Sequence, residues 1–148
     1  MSKVGFRRIG FAFVASSVLI PALAWAQLPI KYATPGKAGK VTKEQVCSTS
    51  LESKPISDRQ TADALEGYGL RGDSGRKVVQ LIPSSLGGTN DRENLWPLPE
   101  SKDFGPTQKK ALDDKLHQMV CAGTIELKAA QDALKKDWTE AYKKYVTQ

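Results

Sequence analysis

Lys77-Val78-Val79-Gln80-Leu81-Ile82-Pro83, then Leu86-Gly87-Gly88-Thr89-Asn90-Asp91, then Asn94-Leu95-Trp96-Pro97 is the stretch from which the fold can be read. Residues 77–82 are mostly β-branched or apolar. They follow a turn cluster (Gly72, Asp73, Ser74, Gly75) and end at Pro83, which is the signature of a strand. Residues 84–91 form a loop with Gly87-Gly88 at its centre. Asn94-Leu95-Trp96 reads as a second short strand or extended segment. It is expected to stop at Pro97 and Pro99, because proline cannot donate to a ladder.

The flanks read as helices. Upstream, Ser57-Asp58-Arg59-Gln60 is a capping box with Ser57 at the N-cap. Its helix is expected to reach Tyr68, with Ala62, Leu65 and Tyr68 on one face and Gly69 as the stop. Downstream, Thr107 can cap a helix over 108–122 that buries Leu112, Leu116, Met119 and Val120, and Gly123 ends it. Leu127, Ala130, Leu134, Trp138, Ala141 and Tyr145 recur every three or four residues, which predicts a last helix over 126–146. The order is helix, two short strands, two helices: an α+β domain over 46–148, helical for the most part. Residues 27–45 hold Pro29, Pro35, Gly36 and Gly39 with no apolar period, and read as a mobile N-terminal arm.

Composition narrows the classes. The 148 residues have room for one domain with a modest core. At 40% hydrophobic and 26% charged the chain is globular in type, which excludes a collagen, a disordered tail and a polytopic membrane protein. Two cysteines exclude a disulfide-dense scaffold and a four-thiolate zinc site, and one histidine excludes a multi-histidine metal centre.

Residues 1–26 read as a secretory signal. Lys3, Arg7 and Arg8 make a basic start, an uncharged apolar run follows, and Ala24-Trp25-Ala26 is an A-x-A cleavage site. The competing reading is an uncleaved anchor, but Pro21 interrupts a run already short for a span of about 20 residues. Cleavage would leave no membrane anchor, in a periplasmic or secreted protein. It would also lower the net charge from +6 to +3, because the segment carries three basic residues and no acid. A mildly basic chain allows a nucleic acid partner without demanding one. In an oxidising compartment the two cysteines are expected to pair as Cys47–Cys121, with two buried free thiols as the alternative.

The quoted stretch resembles the secreted bacterial HNH-nuclease-like proteins. There a strand carrying Asp-His runs into Leu-Ile-Pro, a Gly-Gly loop, an Asn-Leu-Trp-Pro segment and a helix, together the ββα-metal hairpin. Val46-Cys47, Leu116-His117, Val120-Cys121-Ala122-Gly123, Ala130-Gln131, Asp137-Trp138 and Ala141-Tyr142 extend the resemblance over most of 46–145. It implies a small HNH-like hairpin surrounded by helices.

The chain departs from that pattern at the chemical centre. The family's metal-binding Asp and general-base His fall on Val79 and Gln80. Valine offers no ligand atom, and the glutamine amide cannot accept a proton near pH 7. Loss of a general base typically costs about 10²–10⁴ in rate, and loss of the metal removes transition-state stabilisation besides. Asn94 matches the family's central Asn, which positions the hairpin; a turn residue bonding its own loop is the plainer reading. His117 matches a family His on the following helix and is the one candidate metal ligand. Asp113, four residues earlier, can meet it, and a surface His–Asp pair is the plainer reading there. Arg71, Arg76, Lys77 and Arg92 flank the hairpin and are the expected phosphate contacts if nucleic acid binds. The lysines and acids of the last two helices are interleaved as on a solvated surface.

The expected function is therefore an exported, catalytically degenerate HNH-nuclease-like domain, a pseudoenzyme that binds nucleic acid or an envelope protein and needs no cofactor. The alternative is an active metal-dependent endonuclease, with a divalent cation held by His117 and nearby acids. A purely structural envelope protein is a third reading.

Overall fold

The computed structural model describes residues 28–48, 54–72 and 74–148. The expected leader and Asp73 lie outside the described residues. The elements run α1 (Lys43–Cys47), α2 (Asp58–Gly67), β1 (Arg76–Gln80), β2 (Leu95–Pro99), α3 (Pro106–Cys121) and α4 (Leu127–Tyr145). The fold is α+β and mainly helical, with one two-stranded antiparallel sheet. No helix among the described residues is long and apolar enough to cross a membrane.

β2 runs through both prolines that were expected to stop it. Val78 faces Pro97 and Arg76 faces Pro99, while the Leu81 amide donates to the Asn94 carbonyl at 2.8 Å. Antiparallel pairs alternate between bonded and non-bonded. Counting from the bonded pair Leu81–Asn94, both prolines fall at non-bonded positions, where no N–H is required. β1 is shorter than expected and ends at Gln80; Leu81 and Ile82 follow it into the core, where each is 1% exposed or less.

The core lies between the sheet, the Gly-Gly loop and the two long helices. Leu81, Ile82, Leu86, Trp96 and Leu98 meet Leu112, Leu116 and Val120 of α3 and Ala130, Leu134, Trp138 and Ala141 of α4. Trp96 and Trp138 are both 1% exposed or less and stand 6.4 Å apart at a 60° tilt. Aromatic residues of this size bury about 150–250 Å² each and dominate so small a core.

Three helical expectations change in detail. α2 has the Ser57–Gln60 capping box, but it buries Ala64 and Leu65 and leaves Ala62 exposed. α3 begins at Pro106, not after a Thr107 cap: proline fits the first turn, where its missing N–H costs nothing. Met119 is only partly buried, and the buried stripe reads Lys109, Leu112, Leu116, Val120. α4 is broken at Asp137, whose φ of −167° and ψ of 103° are extended. Its Oδ1 accepts from the amides of Thr139 (2.9 Å) and Glu140 (3.1 Å), so Asp137 is an N-cap inside the helix.

Residues 28–45 are stitched to the domain, where a mobile arm was expected. Thr34 is 1% exposed and donates to the Leu95 carbonyl, and its hydroxyl meets that of Tyr68. Ala38 bridges Gly88, and the Gly36 amide donates to the Glu93 carbonyl. Thr42 and Gln45 form a capping box for α1, which presents Val46 to the core and Cys47 to Cys121. Most of these attachments have a backbone group on at least one side, and such bonds carry no apolar periodicity. The Cys47–Cys121 disulfide is present, with a Cα–Cα distance of 5.5 Å, and fastens α1 to the end of α3.

Candidate functional site

The hairpin loop is held by Asn94. Its side chain is fully buried, and its Oδ1 accepts from the amides of Lys37 (3.2 Å) and Ile82 (3.0 Å). Its Nδ2 donates to the carbonyls of Ile82 (2.9 Å) and Thr89 (2.8 Å). All four positions of the amide are used inside the protein, so Asn94 clasps the loop and has none left for a ligand. Gly88 lies against the same strand exit: a Cβ there would stand 1.7 Å from the Ile82 carbonyl oxygen.

Gln80 ends β1 and points into the turn that follows. Its Nε2 donates to Ser84 Oγ (2.9 Å) and Asn90 Oδ1 (2.7 Å). Its Oε1 accepts from the Ser84 amide (2.9 Å) and hydroxyl (3.0 Å). Asn90 Nδ2 in turn donates to the carbonyls of Lys54 and Pro55. Gln80 therefore fastens loop to strand with a neutral amide. Its neighbour Val79 faces Trp96 across the sheet.

A cleft of about 470 Å³ opens beside these residues, between β1 and the first half of α3. Lys77, Val79, Gln80, Thr107, Lys109, Lys110, Asp113 and Asp114 line it. Its ionic centre is a pair the sequence reading missed. Lys109, 2% exposed, meets Asp113 at 2.5 Å. Burial pushes the Asp113 carboxyl up to about 6, against the pull of the Lys109 ammonium. The interleaved charges of the last two helices place Lys109 among solvated lysines, whereas it is buried. Its position three residues before Leu112, on the stripe of Leu116 and Val120, was the signal that it points inward.

His117 stands apart from this cleft. Its Nε2 lies 2.8 Å from the Val46 carbonyl and 3.5 Å from Cys121 Sγ, whereas Asp113 is held by Lys109. The expected Asp113–His117 pair is absent among the described contacts. One helix turn offered Asp113 a partner on either side, and the buried ammonium took it.

The four basic residues do not form one stripe. Lys77 lines the β1–α3 cleft and Arg76 is half-buried beside it on β1. Arg71 borders a separate groove of about 630 Å³ along α2, lined also by Asp58, Leu65 and Glu66. Arg92 lies over Gly67, where a Cβ would come within 2.6 Å of its guanidinium, so it covers the carbonyl end of α2. The loop acids Asp91 and Glu93 both engage Lys37, at 3.4 and 2.8 Å. That pairing holds the Lys37 ammonium above its ordinary range, and the Thr89 hydroxyl holds Asp91 below its own.

Comparison with protein-family models, with curated proteins and with solved structures finds no match for this chain.

Proposed function

We propose that this chain is an exported HNH-like domain that keeps the hairpin, lacks the hydrolytic chemistry, and binds a partner without cleaving it. The observation that carries the reading is the Gln80 amide, engaged in four hydrogen bonds with Ser84 and Asn90 where the resembled family needs a base. A neutral side chain so tied can neither take a proton from water nor swing toward a phosphate. Val79 beside it supplies no oxygen for a metal. The ligand class that fits is a nucleic acid backbone, met at the β1–α3 cleft by the exposed Lys77, while Lys110 there is paired with Asp114 at 2.6 Å. The disulfide suits an oxidising compartment and supports export; cleavage after Ala26 rests on the Ala24-Trp25-Ala26 sequence.

The test is a plasmid-nicking assay on the wild-type protein with Mg²⁺, Mn²⁺ or Zn²⁺, run beside fluorescence anisotropy with a labelled oligonucleotide. The expected result is binding that weakens with salt and with Lys77→Glu, and no nicking above a buffer control. One observation favours the alternative of an active nuclease: Asp113 and Asp114 share the cleft with Gln80 and could bring carboxylate oxygens to a metal. Nicking that is abolished by a chelator and by Asp113→Ala would establish that reading. Mass spectrometry of the envelope fraction should find an N-terminus at Gln27; soluble protein retaining Met1 would overturn the export reading.

A further inference from the structure

The nitrogen and sulfur atoms around the disulfide make up an arrangement that the proposed function does not use. Cys47, Cys121 and His117 offer two sulfurs and a ring nitrogen within 4.8 Å of one another, and none of the three is buried. Cys47 comes from the end of α1, while His117 and Cys121 are one turn apart on α3. Val46 O can only accept, so the His117 Nε2 at 2.8 Å carries a proton and donates it there. The same Nε2 is 3.5 Å from Cys121 Sγ.

These distances match one edge of a metal site. With metal–sulfur bonds of about 2.3 Å and metal–nitrogen bonds of about 2.0–2.1 Å, a tetrahedral site has sulfur and nitrogen about 3.5 Å apart and its two sulfurs about 3.8 Å apart. The Cys121–His117 edge is already of that length. The disulfide joins the two sulfurs and uses the electrons a metal would need. Opening that bond frees both sulfurs, which with the His117 ring nitrogen lie within 4.8 Å of one another and offer three corners, with the fourth open to water.

We propose that the Cys47–His117–Cys121 cluster is a redox-gated site for a thiophilic divalent cation of the zinc class, closed by the disulfide and opened by a dithiol reductant. The steps balance. The dithiol gives up two electrons and two protons and becomes a disulfide, while Cys47 and Cys121 become thiols. The cation then displaces the two thiol protons, and the imidazole proton moves from Nε2 to Nδ1 so that Nε2 can bind. Two thiolates and an imidazole form a donor set that favours zinc over magnesium or calcium. The inference does not depend on the nuclease-like reading, because no residue of the β1–α3 cleft takes part.

The experiment uses the full chain, oxidised as purified or reduced by a phosphine and then freed of reductant without air. Each form is titrated with Co²⁺, read by the thiolate-to-cobalt charge-transfer band and by the visible bands of a tetrahedral ion, and then challenged with Zn²⁺. The reduced chain should bind one Co²⁺, lose it to Zn²⁺ and release two protons, while the oxidised chain shows no band. His117→Gln keeps an N–H donor for Val46 O but has no ring nitrogen, and it should weaken binding by about tenfold or more. Near-ultraviolet circular dichroism follows the packing of the tryptophans throughout. The proposal is overturned by a band in the oxidised chain, by no band in the reduced chain, or by equal affinity in His117→Gln. Tryptophan packing lost on reduction and not regained with Co²⁺ overturns it as well.

Discussion

Replacing Asn94 by alanine tests how much of the fold depends on one side chain. The substitution strands four backbone groups: the amides of Lys37 and Ile82 and the carbonyls of Ile82 and Thr89. The two Ile82 groups are buried, and each should cost about 2 kcal/mol when orphaned. The Lys37 and Thr89 groups sit in partly buried surroundings that water can enter, so their loss should add little. The sum is about 4 kcal/mol, a large part of the roughly 5–15 kcal/mol by which domains are stable. At about 4 °C per kcal/mol for a domain of this size, the melting temperature should fall by about 15 °C. Urea and thermal denaturation followed by circular dichroism measure both quantities. Asn94→Asp is the informative companion: it keeps both acceptor bonds but turns a carboxylate oxygen toward two carbonyls. At neutral pH it should be no more stable than the alanine variant. A loss below about 1 kcal/mol for Asn94→Ala would refute the view that this amide holds the hairpin loop.

Asp113 should give a pH signature. Its folded value of about 6 lies above its ordinary 3.8, so its contribution to stability is present in full below about pH 3.8 and is lost as pH rises through 6. Urea midpoints between pH 4 and 7 should show wild type gaining on Asp113→Asn, on the order of 3 kcal/mol, as the pH is lowered; parallel profiles would contradict this. Lys109→Met and Asp113→Leu should each destabilise by leaving a buried charge unpaired, and the double variant should be more stable than either single one in the same denaturation assay. Reducing Cys47–Cys121, whose residues are 74 apart in sequence, should lower stability by up to about 4 kcal/mol, seen as a lower melting temperature in calorimetry. Gly88→Ala should yield little folded protein, because its Cβ would meet the Ile82 carbonyl at 1.7 Å, whereas Gly72→Ala, with nothing within 4 Å, should express and melt as wild type.

The sequence by itself determined the local elements, because their causes are local. The β-branched run before Pro83, the Ser57–Gln60 capping box and the apolar steps from Ala130 to Ala141 each act within a few residues. The Asp137-Trp138-Thr139-Glu140 stretch was also legible as a cap, but a strong helical stripe passing through it concealed the break. Pairing of the only two cysteines followed from their number and from the compartment expected for them. What only the tertiary structure decided is the set of partners. A helix lets Asp113 reach a residue one turn before or one turn after, and nothing local chooses between Lys109 and His117. The choice depends on which side of α3 the rest of the fold buries, and on that side Lys109 is 2% exposed. His117 was left to the Val46 carbonyl and Cys121, brought to it by a helix more than 60 residues earlier in the chain. The docking of residues 28–45 follows the same rule. Backbone hydrogen bonds such as Gly36 to Glu93 depend on which chains lie side by side, and no side-chain pattern records them.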